Sequence, residues 1–178
     1  GDMILELARE KNLIFLRHDF RKELEKHQEL SRTATEGKFK SGLADKSEET
    51  TKLHTATHLL LAALRIVLND KNIIQKGSNI TSERLRFDFN LDRKLNEEEI
   101  KKIEDLVNKK IKESLEVKCE EMSLQDAKKE GIIGMFEEKY GEKVKVYSIG
   151  NFSIEICAGP HVKNTRELGK FKIIKEES

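Results

Sequence analysis

The chain has 178 residues, 38% charged and 37% hydrophobic, with one proline, two cysteines and a formal net charge of +1. That length suits one good core, or one domain with an appendage. No apolar run approaches the about 18 residues of a transmembrane helix, so no membrane partner is expected, and a near-zero net charge gives no global mark of a nucleic-acid binder. No signal-peptide pattern is visible, and two cysteines point away from a disulfide framework, so a reducing, cytoplasmic setting is expected.

Met3 to Leu30 is charged and helix-permissive, with Ile4, Leu7, Leu13, Leu16, Phe20 and Leu24 near helical spacing. Ser31 to Asp45 carries Gly37 and Gly42 and reads as a loop. Ser47 then opens a helix with Glu48 and Glu49 in its first turn, running to about Asn69. "IIQKGSNITSERLRFDFN" predicts two strands around a turn. In the second, Leu85, Phe87 and Phe89 share one face, and Arg84, Arg86 and Asp88 the other. Asn96 caps a helix that aligns Ile100, Ile103, Val107 and Ile111. A strand through Leu115, Val117 and Cys119 follows, with Cys119 in phase with the core residues, and Ser123 with Asp126 starts a short helix. Further strands are expected at Lys143–Ile149, Asn151–Ile156 and Phe171–Lys175. The order predicts an α+β fold, an antiparallel sheet with helices on one face.

Within the helix from Ser47, "HTATHLLLAALR" places His54 and His58 four residues apart on one face. At 100° per residue, His54, His58 and Arg65 fall in a stripe about 40° wide on a helix otherwise apolar nearly all round. Such a helix is buried, and its polar stripe needs partners. The helix alone leaves two readings open: hydrogen-bonded core histidines, or half of a metal site. "NFSIEICAGPH" adds to this. Phe152, Ile154 and Ile156 alternate onto one face of a strand, and Ser153, Glu155 and Cys157 onto the other. His161 follows Cys157 after three residues, and Pro160, the chain's single proline, restricts the backbone just before it. Two histidines, a thiol and a third histidine form a donor set suited to one tetrahedral zinc ion. The alternative is a tight turn with an incidental thiol. Local charge is uneven: Lys163, Arg166, Lys170, Lys172 and Lys175 lie close together against the single acid Glu167, and Arg84, Arg86, Arg93 and Lys94 form a second basic set.

"HTATHLLLAALR", "QKGSNITSERLRFDF" and "CAGPHVKNTRELGKFKI" together resemble the editing domain of alanyl-tRNA synthetases and their free-standing AlaX relatives. The resemblance covers about residues 42–178, leaving 1–41 as an N-terminal helical segment and loop. It implies a two-layer α+β fold shared with the threonyl-tRNA synthetase editing domain, and hydrolysis of mischarged tRNA, seryl- or glycyl-tRNA specific for alanine. By position it implies zinc ligands His54, His58, Cys157 and His161, and a glutamine, Gln75, near the aminoacyl end. Asp88 is a further candidate for proton transfer. The tRNA acceptor end is expected over Arg65, Arg84 and Arg86, flanked by Lys163 and Lys170. The chain shows no recognisable ATP-binding core, so it is expected to be either free-standing or the editing region of a longer alanyl-tRNA ligase. Its GPH turn is closer to the threonyl form, and "KFKSGLADKSEET" stands where longer members carry a glycine-rich segment. Two alternatives therefore stay open: a threonyl-type domain acting on seryl-tRNA, and a zinc-stabilised tRNA-binding module without hydrolytic activity.

Overall fold

A computed structural model describes residues 43, 45, 47–132 and 141–177. The helical segment expected over 1–41 lies outside them. Helix α1, Glu48–Val67, begins where Ser47 accepts a hydrogen bond from the Thr50 amide. Glu48 and Glu49 in its first turn and Arg65 in its last complement the helix dipole. It stops at Asn69, whose φ of 50° a helix does not permit and asparagine tolerates. Leu59 and Leu64 are 0% and 1% exposed. Each such side chain contributes about 1.5–3 kcal/mol by leaving water.

Strands β1 (Gln75–Ile80) and β2 (Leu85–Phe89) pair antiparallel, with a register shift between Gln75 and Gly77. A Cβ on Gly77 would sit 2.9 Å from Asp88 Oδ2, so a larger residue there would push the Asp88 carboxylate aside. Helix α2, Glu97–Lys112, carries a full capping box: Asn96 accepts from the Glu99 amide at 2.8 Å and Glu99 accepts from the Asn96 amide at 2.9 Å. Ile103, Val107 and Ile111 form its buried stripe and pack with α1, Ile73, Leu95 and Ile149 into the main core, against which Phe87 and Phe89 lie.

Strands β3 (Val117–Ser123), β4 (Lys143–Ile149) and β5 (Ser153–Ile156) form a second antiparallel sheet in the order β3-β4-β5. One face presents Val144, Val146 and Ile156 to Ala127 of the short helix α3, Leu124–Lys129, making a second small core. The opposite face turns Tyr147 and Glu155, directly paired across β4 and β5, toward α1. A short 3₁₀ turn, Thr165–Leu168, follows.

The α+β class and the element order agree with the sequence-based expectation. The strands nonetheless divide into two small sheets, and α3 covers the face of the larger one that α1 does not. Two further expectations are corrected. Cys119 is exposed, not core. It shares a face with Val117 as alternation requires, but β3 is the outer strand and α1 packs over β5, so that face is open at Cys119. Residues 171–175 form no strand. Their backbone groups bond instead to side chains of α2: the Phe171 amide to Asn108 Oδ1, the Phe171 carbonyl to Asn108 Nδ2, and the Ile173 amide to Glu104. Among the described residues no helix is long and apolar enough to cross a membrane.

Candidate metal centre

The polar stripe of α1 faces the turn that leaves β5. His54 and His58, 5% and 6% exposed, meet Cys157 and His161 there, and one donor atom from each of the four lies within 4.8 Å of all the others. Cys157 Sγ is 3.4 Å from His54 Nε2 and 3.4 Å from His161 Nε2. The His54 and His161 rings stack with centroids 4.3 Å apart, and the Tyr147 ring meets His161 edge-on, also at 4.3 Å.

The outward nitrogens explain the arrangement. His54 Nδ1 donates to the Pro160 carbonyl at 3.0 Å. Thr55 Oγ1 gives its own hydrogen to the Thr51 carbonyl, so it accepts from His161 Nδ1 at 3.2 Å and from the Val162 amide at 3.1 Å. His58 Nδ1 sits 3.2 Å from Glu155 Oε2. Each imidazole thus spends Nδ1 on a neighbour, and Nε2 of His54 and of His161 is left facing the thiol at 3.4 Å. This is how metal-ligating histidines are oriented. His58 Nε2 is buried and has no hydrogen-bond partner among the described residues. A buried polar atom without a partner is costly, and a cation held among the four donors in place of the His58 Nε2 proton would satisfy it.

The electrostatics agree. Burial pushes the Cys157 thiol up, but the three imidazoles around it outweigh burial and bring it down to about 3. Burial opposes charge on His58 too, yet the Glu155 and Cys157 neighbours raise it to about 10. Burial, with His58 and His54 alongside, lowers His161 to about 4. Nitrogen and sulfur donors in a set of four suit zinc over a hard cation such as magnesium.

The other expected residues lie elsewhere. Gln75 is at the start of β1, half-buried, opposite Phe89. Asp88 is paired with Arg86 at 3.1 Å. Neither makes a hydrogen bond to the four clustered side chains among the described residues. Arg65 donates from Nε to the Ile73 carbonyl at 2.8 Å and lines an open cleft of about 410 Å³ with Ile66, Asn69, Phe152 and Ile154. Arg84, Arg86, Lys163 and Lys170 are exposed. Sequence reasoning did not single out Thr55, Glu155 or Tyr147. For Glu155 the signal was present: it stands two residues before Cys157 on the same strand face.

Comparison with known proteins adds an independent finding. Residues 144–178 match the family described as the threonyl and alanyl tRNA synthetase second additional domain. Across 173 residues, 97% of the chain, it is 56% identical to an alanine–tRNA ligase of Treponema denticola and 54% identical to one of Borrelia hermsii. A Thermoanaerobacter alanine–tRNA ligase is 50% identical over 125 residues, 70% of the chain and 14% of that relative. The chain spans 29% of the length of the Treponema and Borrelia relatives.

Proposed function

On the premise that this chain is an editing-type domain of the alanyl-tRNA synthetase kind, we propose that it hydrolyses tRNA for alanine mischarged with serine or glycine. The carrying observation is the convergence of His54, His58, Cys157 and His161 on one point, with every outward imidazole nitrogen already engaged. These four side chains would hold one zinc ion. Bound there, the ion supplies either a water acidified to a pKa of about 7 or a fixed positive charge that orients the substrate. Four protein donors leave no open position, which favours the orienting role.

The need for such a reaction follows from binding energies. A pocket for alanine rejects serine, which only adds a hydroxyl, and the smaller glycine by roughly 10–200-fold at best. A second site with hydrogen-bonding partners for the serine hydroxyl reverses the preference, because alanine leaves those partners unpaired. In the reaction, the oxygen of a water attacks the ester carbonyl and the bond to the ribose oxygen breaks. Free amino acid and uncharged tRNA leave.

Gln75 orients the ester or the attacking water in this reading. Asp88, committed to Arg86, is the weaker partner for proton transfer. Arg65, Arg84, Arg86, Lys163 and Lys170 attract the phosphates of the acceptor end, whose contacts supply much of the affinity. The alanine–tRNA ligase relatives favour tRNA for alanine over the threonyl-type alternative raised by the GPH turn.

A panel of seryl-, glycyl- and alanyl-tRNA for alanine, with seryl-tRNA for threonine beside it, tests the proposal. Release of serine and glycine from the alanine tRNA, with alanine retained, is expected. Release from the threonine tRNA alone selects the threonyl-type reading. Binding with no release from any of them selects the zinc-stabilised binding module, which the closed donor set also suits.

A further inference from the structure

Strand β5 brings three side chains to one face in strict alternation: Ser153, Glu155 and, one step past the strand, Cys157. Cys157 is a donor of the metal centre. Glu155 Oε2 is 3.2 Å from His58 Nδ1, and the two side chains are 14% and 7% exposed. Ser153, itself 6% exposed, donates from Oγ to Glu155 Oε1 at 3.2 Å. The serine thus holds one carboxylate oxygen and leaves the other to the histidine.

The three histidines differ in what holds them. His54 rests on a backbone carbonyl and His161 on a hydroxyl, both neutral. His58 rests on a carboxylate, and it is also the histidine whose inner nitrogen has no hydrogen bond. Without Glu155, the His58 proton has no acceptor at Nδ1. Nothing then keeps it off Nε2, where it would block ligation.

We propose that Glu155, held by Ser153, is the positioning residue of the metal centre: it fixes the tautomer and aim of His58. This rests on reading His54, His58, Cys157 and His161 as a metal centre, and it extends that reading to a residue that touches no ion.

The test uses the whole chain and measures metal, not hydrolysis. Zinc affinity is taken by competition with a chromophoric chelator, and the donor field is read from the visible spectrum of the cobalt(II) form. The wild type is compared with Glu155→Gln, Glu155→Ala and Ser153→Ala, and urea unfolding of each metal-free protein monitors the fold. Loss of an outer partner of this kind costs 10–100-fold in metal affinity. That loss is expected for Glu155→Gln, with a shifted cobalt spectrum and metal-free stability close to wild type. Glu155→Ala should lose at least as much, and Ser153→Ala less. Wild-type affinity and an unshifted spectrum in Glu155→Gln overturn the assignment. So does an affinity loss with an unshifted spectrum that is matched by lost metal-free stability, since that marks general loosening. A wild type that takes up neither zinc nor cobalt removes the metal reading itself, which separates that failure from a failure of Glu155 alone.

Discussion

Thr55→Val separates what one hydroxyl does for the fold from what it does for the proposed metal site. Thr55 is fully buried, and its Oγ1 serves three neighbours: the Thr51 carbonyl, the Val162 amide and His161 Nδ1. Valine preserves the shape and removes all three bonds. The Thr51 carbonyl keeps its ordinary helical partner, so it contributes little to the loss. The Val162 amide, on a residue 7% exposed, is left without an acceptor, at about 1–3 kcal/mol. His161 loses the acceptor that aims it, a change worth 10–100-fold in metal affinity, or about 1.4–2.7 kcal/mol at a fixed free-zinc concentration. Urea unfolding of metal-stripped and zinc-buffered protein reads the two effects apart. The stripped variant should fall by the first amount, and the zinc-buffered variant by the sum. If the zinc-dependent difference equals that of the wild type, Thr55 does not orient His161. If the stripped proteins match, the Val162 amide does not depend on Thr55.

Gln75→Ala should slow serine release about 10²–10³-fold with metal content unchanged, whereas Cys157→Ala should lose both. Deacylation rates beside elemental analysis check this, and full activity in the Gln75 variant removes that residue from the reaction. Charge reversal at Arg84 and Lys163 should weaken tRNA binding and flatten its salt dependence; filter binding at two salt concentrations measures it, and unchanged affinity places tRNA on another face. Glu99 supplies a pH test. The Arg93 side chain and the Asn96 amide hold its carboxyl at about 2, below the usual 4.5. Its folded value is the lower one, so its contribution is present above about pH 4.5 and disappears as pH falls toward 2. The urea midpoint of Glu99→Gln should therefore depend less on pH than that of the wild type across that window.

Local chemistry was the most legible part of the sequence. Ser47 and Asn96 cap helices where their short polar side chains predicted it, because a cap depends only on residues three positions away. The four clustered donors were legible for a similar reason: helical spacing put His54 over His58, and strand alternation turned Cys157 away from Ile154 and Ile156. Tertiary partners were not legible. Cys119 has the alternation of a core residue, but alternation fixes a face and says nothing about whether a helix covers it. Residues 171–175 have the composition of a strand, yet Asn108 and Glu104 take up their backbone groups. Thr55 could not be found from spacing, since its role comes from meeting the turn at His161 and Val162.

The two halves of the donor set are far apart along the chain, with Cys157 103 positions after His54. Translation delivers them in that order. At bacterial-to-eukaryotic synthesis rates of about 5–20 residues per second, the gap between them lasts roughly 5–20 s. For that interval α1 carries two histidines on an otherwise apolar helix with neither the thiol nor the third imidazole to meet. A pair of imidazoles is half a chelate, so the nascent helix cannot retain an ion against the completed sites of other proteins. If these four side chains hold an ion as proposed, its capture is a late event in the birth of this domain, timed by the emergence of the Cys157–His161 turn, and a ribosome stalled before that turn leaves a histidine pair with nothing to close around.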